Sequence, residues 1–283
     1  MGPDDLVLCS GTLPRGVSFA ERLAAASNAG FAAISLWGRD YRAARAEGLT
    51  DHDLRSMLDD HGLVVAEVDP AWWWPPGAAD IRIDPRHDTE EVFRFGEDEL
   101  FAVADAVNAR SCNAVDIFGG PWDTDAAAEA FAGLCQRAAE HGLLIHLEWL
   151  TWSNIPDLAT ALQIVRLAAA PNGGLNVDAW HLTRSGTQLE ELAAIPGDLI
   201  LGIQLSDGPA VAEENLVEAT LHHRLLPGDG EFDLTGLLRT LAATGTTAPL
   251  GVEVFNDDLQ AHSAAEAALL AGQSTRRVLE AAR

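Results

Sequence analysis

The sequence predicts a (β/α)8 barrel, and three observations carry that expectation. Short apolar runs, many of them β-branched, recur eight times, as expected of parallel strands buried on both faces. Longer amphipathic stretches lie between them. Dividing 283 residues by eight leaves about 35 per unit, a comfortable length for a strand, a helix and their loops. The alternative, an open doubly wound sheet, usually has a glycine-rich phosphate turn after its first strand. The turn here, Ser10-Gly11-Thr12-Leu13-Pro14-Arg15-Gly16, is not of that kind. No composition break marks a linker, so one domain spanning 1–283 is expected.

The expected strands are Leu6–Ser10, Ala32–Trp37, Leu63–Val68, Ala114–Phe118, Leu143–Glu148, Gly174–Asp178, Leu199–Leu205 and Leu250–Val254. The first helix, Ser18–Asn28, opens with a serine and carries Glu21 three residues on, a capping-box pattern. Thr89–Asn108, Asp123–His141, Asp157–Ala169, Leu234–Ala243 and Ser263–Ala281 also read as amphipathic helices, and Thr187–Ala194 as a shorter one. Two long connections, Asp69–Asp88 and Asp207–Asp233, follow strand ends, the face on which barrel enzymes build their sites.

Composition narrows the function. Apolar residues make up 48% and charged residues 22%, ordinary globular values, and no apolar run is long enough for a membrane helix. The start, Met1-Gly2-Pro3-Asp4-Asp5, lacks the basic character of a signal peptide. Cys9, Cys112 and Cys135 have no metal or redox spacing, which fits buried thiols in a cytoplasmic protein. A net charge of −25 opposes binding to nucleic acid or to anionic membrane. All 18 basic residues are arginine, so Schiff-base chemistry, lysine-anchored pyridoxal phosphate and a P-loop are excluded.

The late strands end in polar residues. They read His146-Leu147-Glu148-Trp149, Asn176-Val177-Asp178-Ala179-Trp180-His181, Ile203-Gln204-Leu205-Ser206-Asp207 and Gly251-Val252-Glu253-Val254-Phe255. Glu148, Asp178, Gln204 and Glu253 stand at equivalent heights and would converge in a closed barrel. Taken singly, each acid reads equally well as a solvated strand end. Together, three converging carboxylates would repel one another unless a cation joined them. Hard oxygen donors favour one divalent ion, Mn2+ first, with Mg2+ or Co2+ as alternatives.

In these segments the chain resembles the xylose-isomerase-like barrel superfamily of sugar isomerases, epimerases and related dehydratases. The resemblance covers most of the sequence and is strongest from Leu143 to Phe255. It rests on Leu147-Glu148, the run from Val177 to Gly186, Gln204-Leu205-Ser206-Asp207-Gly208, the run from Arg224 to Asp233, and Gly251-Val252-Glu253. It implies a metal held by Glu148, Asp178, Gln204 and Glu253. Histidine is common at the strand-seven position; Gln204 still offers an oxygen and is similar to the dehydroshikimate dehydratases there. His181 then approaches the substrate beside the metal, and Arg224 binds substrate oxygens.

Weaker candidates are Glu67, His146 (beneath the metal), Asp207 (a loop cap or outer acid), His222 and His223. Trp72-Trp73-Trp74, stiffened by Pro75 and Pro76, is expected as a pocket lid or wall, or as a contact between copies in a homo-oligomer. Trp180 and Trp72 are taken as substrate-binding.

The function expected first is a metal-dependent isomerase or epimerase. A carboxylate, Glu148 or Glu253, takes the α-proton of a small sugar-like hydroxy-ketone to give an enediolate, with His181 nearby. The alternative is a dehydratase acting on a ring ketone such as dehydroshikimate or an inosose. A third reading is a non-catalytic barrel subunit. The absence of lysine disfavours the two-metal hydride shift of true xylose isomerases.

Overall fold

A computed structural model describes residues 1–81, 91–118 and 122–283. Eight parallel strands close into one barrel in chain order: β1 (Leu6–Leu8), β2 (Ala33–Trp37), β3 (Val64–Ala71), β4 (Ser111–Val115), β5 (Leu144–Glu148), β6 (Gly173–Asp178), β7 (Ile200–Leu205) and β8 (Leu250–Val252). β8 closes on β1 with Leu6 opposite Leu250 and Leu8 opposite Val252. The helices are α1 (Phe19–Asn28), α2 (Gly38–Ala46), α3 (Asp51–His61), α4 (Glu97–Val107), α5 (Thr124–Ala139) and α6 (Leu158–Ala168), followed by α7 (Ala179–Arg184), α8 (Leu189–Ala193), α9 (Leu216–His222), α10 (Leu234–Thr244), α11 (Asp257–Gln260) and α12 (Ala264–Ala282). Between barrel and helices lies one large apolar core that includes Leu36, Phe131, Ile145, Val177 and Leu205. All three cysteines are buried and free. Among the described residues, no helix is long and apolar enough to cross a membrane.

Local chemistry explains most boundaries. Ser18 accepts from the Glu21 amide while the Glu21 carboxylate accepts from the Ser18 amide, so the expected capping box is present. Asp123, Asp157, Asp233 and Ser263 cap α5, α6, α10 and α12 in the same sense.

Several elements differ from the sequence reading. β4 starts three residues earlier than expected, because its inward side chains Ser111 and Asn113 are polar and disguise the strand. α2 and α3 were not anticipated: α3 buries only Leu54 and Leu58, so its apolar stripe is thin. Its Thr50–Asp53 capping box and the left-handed Gly62 at its end (φ 64°) were the available signals. α4 begins at Glu97 rather than Thr89; residues 89 and 90, like 82–88 of the first long connection, lie outside the described residues.

The tryptophan run is also placed differently. Trp72 and Trp74 are buried and Trp73 half-buried. Their indole N–H groups donate to the Phe95 carbonyl (3.0 Å), Glu97 (2.8 Å) and the Val115 carbonyl (3.0 Å). Three consecutive indoles are accommodated because each finds an acceptor for its polar edge.

Candidate active site

The site is built from the C-terminal ends of β5 to β8. Glu148 is the last residue of β5, Asp178 the last of β6, Gln204 is next to last in β7, and Glu253 follows β8. Barrel register sets Asp178 beside Gln204, and Gln204 beside Gly251. Asp178 also caps α7, accepting from the Trp180 amide at 2.8 Å, which turns the chain sharply and brings His181 over the strand end. All these side chains are buried.

Glu148, Asp178 and His181 each offer a donor atom within 4.8 Å of the others. His181 Nε2 lies 3.7 Å from Glu148 Oε1 and 3.8 Å from Asp178 Oδ2. Glu253 stands on the other side of Arg224, whose Nη1 donates to Asp178 Oδ2 (2.8 Å) and to Glu253 Oε2 (3.4 Å). Gln204 turns its NH2 group to Glu253 (3.3 Å) and its oxygen to Asn176 (2.9 Å). Offering that oxygen to a cation would require the Gln204 and Asn176 amides to turn together.

Burial dominates the electrostatics. It drives the Glu148 carboxyl well above the usual range, helped by Asp178 and Glu253 and opposed by a hydrogen bond from Asn113. It lifts Glu253 to about 8, with Arg224 opposing and Asp178 and Glu67 adding. It lowers His181 to about 3, so the ring is neutral. Neither ring nitrogen of His181 has a hydrogen-bond partner among the described residues. Three buried carboxylates therefore share one guanidinium. When all three ionise, two negative charges are left over and suit a divalent metal ion, while the neutral imidazole beside them keeps an unused lone pair.

The site opens into a cavity of roughly 470 Å³. Glu148, His181, Arg224 and Glu253 line it, with Trp152, Leu150 and Phe255 among its apolar walls. Trp152 packs edge-on to the His181 ring at 5.5 Å. Arg15 and Arg39 lie on its lining too, the latter with its guanidinium 4.1 Å from the Trp37 ring centre.

Two residues taken as substrate-binding are not on the cavity lining. Trp180 is fully buried beneath it, with Arg184 and Arg224 over its ring at 4.4 and 5.6 Å and its N–H donated to Thr220 (2.8 Å). Trp72 sits behind the wall, packed with Phe93 and Phe118.

Among the weaker candidates, His146 does lie beneath the site, 3.0 Å from Glu67. Asp207 is a loop cap that accepts from the amides of Gly208, Gly228 and Phe232. His222 lines the cavity and pairs with Asp257 (2.9 Å); His223 bridges its backbone to Asn256 and sets its ring edge-on to His222.

Sequence reasoning missed Asp69 and Asn113. Asp69 lines the cavity from β3, and burial holds its carboxyl well above the usual range. Its position at a strand end before a long connection was a usable signal. Asn113 lay inside β4, whose expected start at Ala114 came one residue too late to include it.

Known proteins share this fold. The chain is 32% identical over 256 residues to a 3-dehydroshikimate dehydratase of Pseudomonas aeruginosa, covering 90% of this chain and 38% of that protein. It is 29% identical over 263 residues to a protein of the same name from Pseudomonas putida, with the same coverage. The chain thus spans well under half the length of these curated relatives. A solved structure, the IOLI protein with a bound zinc atom, superposes with a TM-score of 0.82 over 99% of both chains at 18% identity. The family model of the xylose isomerase-like TIM barrel matches residues 23–276, and the chain belongs to that family.

Proposed function

We propose that the chain is a metal-dependent dehydratase acting on a cyclic β-hydroxy-ketone that carries a carboxylate, with 3-dehydroshikimate as the first substrate to test. The observation that carries this reading is the buried set of Glu148, Asp178, Glu253 and a neutral His181 at one end of a cavity whose walls include Leu150, Trp152 and Phe255 and whose lining also carries Arg15 and Arg39. The isomerase or epimerase expected first shares its opening chemistry, but the names of the curated relatives favour the dehydratase alternative.

Glu148, Asp178 and Glu253 would hold the cation, with Gln204 as a further oxygen donor. When bound, a divalent ion supplies Lewis-acid polarisation of the substrate carbonyl. His181, with a free lone pair facing the cavity, takes the proton from the carbon beside that carbonyl. Glu148 and Asp178, at 3.7 and 3.8 Å, stabilise the imidazolium so formed. The C–H electron pair first moves toward the carbonyl oxygen and then returns to form a ring C=C as the β-hydroxyl leaves. Asp69, kept protonated by burial, supplies the proton that makes this leaving group water. Apolar walls limit competing water, and Arg15 and Arg39 offer the substrate carboxylate its counter-charge.

The test is turnover of 3-dehydroshikimate by protein supplied with Mn2+, followed by the ultraviolet absorbance of the aromatic product. Turnover abolished by chelation and restored by Mn2+ is expected. No turnover of it, with α-deuterium exchange on open-chain keto sugars instead, would return the assignment to the isomerase reading.

A further inference from the structure

Trp37 closes β2 and Asp69 lies in β3, and barrel register sets the two side by side. Registered residues of neighbouring strands project to the same face, and both residues line the cavity. Both are more than nine-tenths buried, Trp37 at 6% and Asp69 at 7% exposure. Each carries a polar atom without a hydrogen-bond partner among the described residues, the indole Nε1 of Trp37 and Oδ2 of Asp69.

A buried indole N–H normally finds an acceptor. Those of Trp72, Trp73, Trp74 and Trp180 all do. Trp149 does not, but it belongs to the apolar core and is not on the cavity lining. Trp37 is on that lining, and its ring is nevertheless fixed. The Trp37 amide donates to Asp40 (3.0 Å), which pairs with the buried Arg22 (2.9 Å). The Arg39 guanidinium packs 4.1 Å from the ring centre, and the Phe255 ring lies 5.9 Å from it. Gly11 makes room for Phe255, which an added Cβ would strike. A donor braced in this way, with no acceptor of its own, is preorganised for an oxygen that arrives with a ligand.

We propose that Trp37 Nε1 and Asp69 Oδ2 together form the subsite for the hydroxyl that the substrate loses. The inference rests on the dehydratase reading and extends it by one substrate-binding residue, Trp37. A hydroxyl oxygen has two lone pairs. One accepts the indole N–H, and the other takes the Asp69 proton. As the C–O bond breaks, its electron pair passes to that oxygen, the Asp69 O–H bond breaks, and water leaves with Asp69 as a carboxylate. Burial is the main reason that Asp69 holds this proton, so a cation that compensates Glu148 and Glu253 leaves the main reason in place.

The experiment has a binding arm and a kinetic arm. In the first, wild-type protein with 15N-labelled tryptophan and diamagnetic Mg2+ is titrated with two probes. One is the substrate with its ring ketone reduced to an alcohol, which cannot eliminate water; the other is the same molecule without the β-hydroxyl. The spectrum of Trp37→Phe identifies the Trp37 N–H resonance. That resonance should move downfield with the hydroxylated probe and much less with the deoxy probe. Equal movement with both, or none with the hydroxylated probe, overturns the subsite.

In the second arm, Trp37→Phe keeps an aromatic ring beside Arg39 and removes the donor. It should lower turnover of 3-dehydroshikimate by about 2–10-fold, the worth of one neutral hydrogen bond. Asp69→Asn should lower it by about 10²–10⁴, the range of a lost general acid. In D2O both variants should raise the ratio of α-deuterium exchange to water loss, because the α-proton is removed before the step that they slow. A Trp37→Phe variant with wild-type turnover and exchange ratio overturns the subsite as well. If Asp69→Asn does not fold, wild type in the binding arm and Trp37→Phe in the kinetic arm carry the test. Wild type whose resonance responds only to the hydroxylated probe, but which does not dehydrate 3-dehydroshikimate, ends the proposed reaction and keeps the hydroxyl site.

Discussion

Arg224→Met should destabilise the metal-free protein in a strongly pH-dependent way. Arg224 is 2% exposed and compensates Asp178 at 2.8 Å and Glu253 at 3.4 Å, and its Nε donates to the Thr220 carbonyl at 3.0 Å. Methionine keeps much of the volume and removes the charge. Breaking a buried pair from one side costs about 3–5 kcal/mol. Proton uptake sets the ceiling: neutralising one carboxylate with an ordinary pKa near 4 costs about 5 kcal/mol at pH 8 but only about 2 kcal/mol at pH 5.5. An unfolding entropy of about 2.1 cal/mol/K per residue over 283 residues gives about 0.6 kcal/mol/K. The melting temperature should therefore fall by about 5–8 °C at pH 8 and by about 3 °C at pH 5.5. Calorimetric melts in chelator at both pH values measure this. Saturating Mn2+ should recover much of the loss at pH 8, because a cation replaces the missing charge. An equal loss at both pH values, or none at pH 8, would refute the view that Arg224 serves as the counter-ion.

Three further outcomes follow from the same geometry. Glu148→Gln should lower kcat by about 10²–10⁴, the range of a lost group that supports proton transfer, without lowering the melting temperature of metal-free protein at pH 8, since a neutral amide stands in for a protonated carboxyl; an active variant would remove Glu148 from the mechanism. Wild-type, metal-free protein should lose stability as pH rises from about 4.5 to 8: the folded carboxyls of Glu148 and Glu253 hold protons that the unfolded chain has released, and Mn2+ should flatten the slope. A melting temperature that climbs with pH in chelator would contradict it. Trp74→Ala should cost about 3–5 kcal/mol of stability while leaving turnover near normal at low temperature, because its ring packs on Phe131 inside the core; a kinetic defect in a stable variant would return the tryptophan run to the pocket.

The barrel was legible because its strands are buried on both faces and read as apolar runs, as in Leu143–Glu148. Glu148, Asp178 and Glu253 were legible for the complementary reason, that an acid inside or just beyond such a run needs a counter-charge. Strand ends can be counted along a sequence, but what faces what cannot. Trp180 and Trp72 flank the site in sequence, yet backbone direction turns both rings away from the cavity. Asn113 and Asn176 carry no motif, and only barrel closure sets them side by side. Likewise the orientation of the Gln204 amide depends on Glu253, 49 residues away.

Charge shows how a global quantity and a local one can point in different directions. A net −25 argues against a polyanionic partner, whose many phosphates would meet the whole surface at once. It does not argue against a small anion. Exposed charges are screened beyond about 8 Å at physiological ionic strength, so a ligand at the cavity mouth responds to the few groups that line it. There the lining includes Arg15, Arg39 and Arg224. The guanidinium of Arg39 lies over the Trp37 ring and 3.9 Å from Asp40; burial, with Arg15 and Arg22, lowers its pKa against the opposing acids Asp40 and Asp69. Deeper in, Arg224 is already committed to Asp178 and Glu253. Under the proposed function, an anionic ring ketone would have its carboxylate at the arginine rim and its carbonyl toward the acids. Rim and floor thus discriminate by opposite charges within one cavity, which a neutral sugar would exploit only at the floor.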